Sequence, residues 1–165
     1  MAKTTENTDA QDFILASLLN GVLPCSARFP NNSGKCSKKA TIADAQESFA
    51  VRLLCINDYE NKISELVAKY YSCGLTIQPF LLVEGHSDEE LKGFYIYFDK
   101  TLFKFPSFIE GLDTCFKIFP ALNLYYPQAS ALTWNFIQQY FYNIHTAFDL
   151  KSPNLVSLMN YMNNI

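Results

Sequence analysis

The chain has 165 residues, 49% of them apolar and 15% aromatic, and a formal net charge of −3. That length fits one domain, and the apolar share suffices for a core. The small negative charge gives no electrostatic footing for nucleic acid, whose binding domains carry a basic excess.

Residues 1–40 read as a mobile tail holding a short helix and a basic loop. Asp9 to Asn20 is the helix, capped by Asp9 or Asp12, with Phe13, Ile14, Leu15, Leu18 and Leu19 apolar and Gly21 at its end. A helix this short is marginal alone, so it either folds back on its own domain or docks on a partner. In the following RFPNNSGKCSKK, Arg28, Lys35, Lys38 and Lys39 are scattered, which suits a solvated loop better than a nuclear address or phosphate contact.

Residues 41–165 read as one domain. Ser48 to Ile56 predicts a buried strand. Asn57 or Asp58 then caps a helix whose Ile63, Leu66, Val67 and Tyr70 share a face and which Gly74 ends. Thr76 to Val83 predicts a second strand, at an edge or bulged because Pro79 lacks a donor. After a charged loop over 84–93, Phe94–Phe98 and Thr101–Phe105 form a hairpin over Asp99-Lys100. Its alternation sets Phe94, Ile96 and Phe98 on one face and Tyr95 and Tyr97 on the other.

Ser107 can cap the next helix, in which Phe108, Leu112, Cys115, Phe116 and Phe119 repeat every three or four residues. Pro120 predicts its end or a kink at Phe119. Pro127 suits the first turn of another helix. That helix carries two stripes, one of Trp134, Ile137, Phe141 and Ile144, the other of Leu132, Phe136 and Tyr140. Ser152-Pro153 opens a short amphipathic helix with Leu155, Leu158, Met159 and Met162. Strands in the middle and helices at the end define an α+β fold: a small, mainly antiparallel sheet of about four strands, covered by C-terminal helices.

Motifs for chemistry are missing from the sequence. Six glycines include no GxGxxG or GxxxxGK spacing, so no cofactor is expected. The cysteines stand irregularly and His86 and His145 stand alone, so no metal site is expected. Asp88, Glu89 and Glu90 read as a wet turn, not a tuned acid–base pair. Two alternatives remain open: a small enzyme in which Cys115 meets His145, and an RNA-binding sheet on which Tyr95 and Tyr97 stack bases beside Lys92, Lys100 and Lys104. Five cysteines, odd in number, suit free thiols in the cytoplasm or nucleus. No apolar run approaches the roughly 18 residues of a membrane span, and the polar start has no h-region, so neither a span nor a leader is expected.

Residues 101–165 hold three cations, three acids and 14 aromatics. A stretch so neutral must be core, or core plus interface. A helix apolar on two sides is buried on two sides, so the expected role is a non-enzymatic interaction or oligomerisation domain. Its partner-binding residues would be Leu132, Phe136 and Tyr140, joined by Leu158 and Met162, and its partner another protein or a second copy in a homodimer. The run TCFKIFPALNLYYPQASALTWNFIQQYFYNI, preceded by IQPFLLVEG and FYIYFDKTLFKFPS, resembles the C-terminal domain of a group of uncharacterised animal proteins with an ALN-x2-YP…W-x-F-I-Q two-helix pattern. Phe119, Ala121, Leu122, Asn123, Tyr126, Pro127, Trp134, Phe136, Ile137 and Gln138 carry the likeness, which covers about residues 45–150. It implies a shared fold and an adaptor role; it implies no activity.

Overall fold

The computed structural model describes residues 2–30 and 38–164, and side chains from residue 8 onward. In chain order the elements are α1 (Ala2–Val22), the two-residue strands β1 (Arg28–Phe29) and β2 (Lys38–Lys39), α2 (Ile42–Phe49), β3 (Ala50–Leu53), α3 (Tyr59–Ser72), β4 (Phe80–Gly85), β5 (Leu91–Phe98), β6 (Thr101–Phe105), α4 (Phe108–Ala121), α5 (Ala131–Tyr140) and α6 (Pro153–Met162). β1 and β2 pair with each other, and the other four strands form one sheet in the order β3-β4-β5-β6. β3 runs parallel to β4, and the other two pairings are antiparallel. The fold is α+β, as the element order implied.

A parallel pair needs a crossover, and α3 supplies it. The sheet is therefore covered on both faces, where helices on one face were expected. Alternation along β4 sorts the two sides. Leu81 and Val83, with Phe94 and Ile96, pack against Phe108, Phe116 and Trp134, whereas Phe80 and Leu82, with Tyr95, pack against Ile63, Leu66 and Tyr70 of α3. The hairpin turns at Asp99 and Lys100, both left-handed with φ of 46° and 62°, the pair of positive angles that a two-residue primed turn requires.

α1 is not a mobile appendage. Phe13, Ala16 and Leu23 lie in the same core as α4 and α5, and Phe13 meets Phe108 edge-on at 5.6 Å. Asp9, expected to cap its own helix, instead accepts from the Phe108 amide at 2.8 Å. That amide belongs to the first turn of α4 and has no partner within the helix, so the carboxylate ties α1 to α4 while meeting the positive end of the α4 dipole.

Three boundaries differ from expectation. α2 occupies the start of the expected Ser48–Ile56 strand, because Thr41 and Asp44 close a reciprocal capping box that starts a helix there. β4 begins at Phe80, so Pro79 marks the way into a central strand rather than an edge. Pro120 sits in the last turn of α4 without stopping it at Phe119; the Leu122 amide still reaches Ile118 O at 3.0 Å, and Asn123 (φ 51°) lets Leu124 close back on Phe119 O at 2.8 Å. Pro127 precedes α5 in a turn whose carbonyl accepts from Ser130 N at 3.1 Å.

Candidate binding clefts

The stripe expected to meet a partner faces inward. Leu132 and Phe136 are buried, at 9% and 2% exposure, and Tyr140, Leu158 and Met162 are half-buried against the same core. The cause is the additional cover. α1 lies against α5, with Thr133 Oγ1 donating to Asn20 Oδ1 at 2.8 Å, and α6 packs along α5. Of the other stripe, Trp134 and Ile137 are buried, while Phe141 and Ile144 lie beyond the end of α5 and are exposed.

The alternative sites do not assemble as expected. Cys115 is fully buried and its thiol is pushed well above its ordinary range by burial alone, so it is no thiolate, while His145 is exposed. Tyr95 is buried and Tyr97 half-buried in the cluster under α3. The Tyr95 hydroxyl donates to Glu84 Oε2 at 3.3 Å, so these two rings do not lie open on the sheet. No three His, Cys, Asp or Glu side chains converge as metal ligands among the described residues. No helix among them is long and apolar enough to cross a membrane.

The two most exposed aromatic rings, Phe148 and Tyr125, stand on connectors. The segment before β1, the α4–α5 connector and the α5–α6 connector enclose a cleft of about 640 Å³, walled by Pro24, Arg28, Tyr125, Leu132, Phe148 and Lys151 among others. Phe148 is 93% exposed and Tyr125 89%. These rings stand on a pinned frame. Thr146 Oγ1 donates to Asp149 Oδ1 at 2.6 Å and its amide to Oδ2 at 3.0 Å. Gln138 Nε2 reaches the same carboxylate at 2.8 Å, and the Leu150 amide reaches Asn135 Oδ1 at 2.9 Å. Burial works to raise the Asp149 carboxyl, but these donors outweigh it and hold the carboxyl below its usual value. Across the cleft, Tyr126 donates to Gln138 Oε1 at 2.9 Å and stacks on Trp134. Arg28 and Lys151 line the cleft, and no carboxylate does among its described residues.

Tyr125, Tyr126 and Gln128 also line a second, smaller pocket of about 220 Å³, floored by Ser48, Leu66, Tyr70 and Phe80. Beside it lies an ion cluster joining α2 to α3. Lys69 binds Asp44 at 2.7 Å and also Glu47; Lys62 binds Glu47 at 3.0 Å. Burial pulls the Asp44 carboxyl up, but hydrogen bonds from Lys69 and Thr41 prevail and hold it down at about 2. The Tyr70 hydroxyl is closed off from solvent, with the Ser48 hydroxyl as a polar neighbour. Desolvation, with the nearby carboxylates, pushes it up to about 12, so it keeps its proton.

The sequence reading passed over Tyr125 and Phe148. The available signal was negative: each is an aromatic in a connector, outside any helical or strand periodicity that would bury it. No family model, curated protein or solved structure matches the chain.

Proposed function

We propose that this chain is a non-enzymatic protein-interaction domain whose contact surface is the cleft between its connectors, and that the occupant is an acidic segment of another protein carrying apolar side chains. The observation that carries the reading is the pair of rings at the cleft mouth, Phe148 and Tyr125, left almost wholly to solvent on a hydrogen-bonded frame. An exposed aromatic pair over a concave surface is the usual form of a protein contact. Lys151, exposed at a cleft whose described lining holds no carboxylate, favours a negative partner, in a molecule that is itself acidic. The two-helix resemblance, with the adaptor role it implies, supports the same class.

Peptide-display selection against the immobilised domain tests it, run in parallel on a Tyr125→Ser/Phe148→Ser variant. The expected outcome is enrichment of peptides that combine Asp or Glu with aromatic or aliphatic residues, loss of that enrichment on the variant, and weaker retention in 0.5 M salt, where screening shortens to ~4–5 Å. Selected peptides without acidic bias, or retained equally by the variant, overturn the reading. Light scattering on the same samples separates a second copy from a foreign partner.

A further inference from the structure

We infer that the open sheet edge at β6 pairs with β6 of a second copy of this chain, joining two four-stranded sheets into one. Nothing in this depends on the cleft between the connectors. The register of the hairpin carries it. Phe98 pairs with Thr101 across the two-residue turn, followed by Ile96 with Phe103 and Phe94 with Phe105. A two-residue turn closes on a hydrogen-bonded pair, and such pairs alternate along an antiparallel ladder. Thr101, Phe103 and Phe105 therefore direct their backbone groups to β5. Leu102 and Lys104 direct theirs outward, and among the described residues no further strand lies beyond β6 to meet them.

The occupant is a second copy because this edge is complementary to itself. Centred on Phe103, two β6 strands run antiparallel over all five of their residues. Leu102 then faces Lys104 of the second copy, the pair exchanges both backbone bonds, and every outward group is matched. Phe103 faces its own counterpart at a position without hydrogen bonds, where side chains approach most closely. That ring is 45% exposed, and the contact covers it. Charge selects this register. Centring on Lys104 would oppose two ammoniums, and centring on Leu102 would bring Lys100 against Lys104. Lysine on an edge strand commonly hinders pairing, but Lys104 turns its ammonium over the Tyr95 ring, 5.7 Å from the centroid, on the sheet face opposite Phe103. The same register lays the Asp99-Lys100 turn beside Pro106 and Ser107 of the second copy, bringing Lys100 toward the exposed Glu110 in the first turn of its α4.

The joined surface is small, so association should be weak, with Kd on the order of 0.1 mM. Sedimentation velocity on the full chain, raised to about 1 mM, should show monomer passing to dimer. In hydrogen exchange the Leu102 and Lys104 amides should slow as concentration rises, while those of Thr101, Phe103 and Phe105 are protected throughout. Lys104→Pro deletes an outward N–H without breaking a bond to β5. By symmetry it removes two bonds from the dimer, which should weaken about ten-fold or more. Phe103→Lys, which opposes two like charges, should do the same. Phe103→Cys should link two copies under mild oxidation, because its Cα lies about 4.5 Å from its counterpart. Lys104→Cys should not, since its counterpart stands diagonally at about 7–8 Å. A chain still monomeric at about 1 mM overturns the inference. So does a dimer indifferent to Lys104→Pro and Phe103→Lys, or equal linking by the two cysteine variants. Phe148→Ser should leave the dimer intact and Lys104→Pro should leave peptide selection intact, so failure at the edge is distinguishable from failure at the cleft.

Discussion

The two faces of the sheet solve the same problem with opposite materials. The side built on Leu81, Val83, Phe94 and Ile96 is covered by α1, α4 and α5, and the polar side chains buried around it, Asn20, Thr133, Asn135 and Gln138, are neutral. The side built on Phe80, Leu82 and Tyr95 is covered by α3 alone, and its edge is sewn to α2 by ions, with Asp44 buried at 4% exposure beneath Lys69. The aromatic side needed another helix to hide its rings and obtained it from the N-terminal segment. The ionic side needed no such cover, and the smaller pocket remains there. An apolar surplus in sequence is therefore a poor guide to exposed surface: α5, with apolar residues on two sides, became an enclosed helix, while Tyr125 and Phe148 on connectors stayed exposed.

The largest expected effect tests that enclosure. Phe136→Glu places a carboxylate where 2% of the side chain meets solvent. It should remove about 4–5 kcal/mol or unfold the chain, against a total of about 5–15 for an ordinary domain. A folded, wild-type-stable variant in urea titration would return the stripe to the surface. Trp134→Ala follows at about 3–5 kcal/mol, because the ring is fully buried among Phe49, Phe119 and Tyr126, with centroids 4.9, 5.1 and 6.1 Å away.

On the ionic side the handle is pH. Asp44 ionises at about 2 in the folded chain against an ordinary 3.8. The unfolded chain takes the proton first on acidification, so this stabilisation is complete above about pH 4 and fades as pH falls to about 2, a total near 2 kcal/mol. Lys69→Met should remove about 2 kcal/mol at pH 7 and flatten that acid limb, since the folded carboxyl moves back toward its ordinary value. Urea midpoints at pH 2, 4 and 7 check both. A limb that keeps its slope would assign the hold on Asp44 to Thr41 alone.

How far the sequence could be read follows from the same contrast. The hairpin over Asp99-Lys100, the α3 face of Ile63, Leu66 and Tyr70, and the Phe108-to-Phe119 face were legible, because each rests on local periodicity and turn chemistry. Asp9 bonding the Phe108 amide, 99 residues away, was not, because nothing local distinguishes an intrahelical cap from one lent to another helix. The inward turn of Leu132 and Phe136 followed from that miss: with α1 taken for a tail, α5 had a face to spare. The parallel pairing of β3 with β4 was equally hidden, since registers such as Val51 with Leu82 are settled by the fold. Tyr125 and Phe148 could be named as aromatics but not as exposed; for Phe148 that depends on the Thr146–Asp149 turn and the Asn135 tether.

The smallest expected effect is also the sharpest test of the contrast. Phe148→Ser deletes a ring of the same kind as Phe136, within the same neutral third of the chain, but at 93% exposure. Little apolar area leaves water when such a ring folds, so little is lost with it, and the change in stability should stay within about 0.5 kcal/mol. The backbone there is held by Thr146, Asp149 and Asn135 and does not depend on the ring. A destabilisation above about 1 kcal/mol in urea titration would mean that Phe148 is packed in solution, closing over the cleft. The exposed pair would then belong to the fold, and the surface assigned to a partner would already be filled by the chain itself.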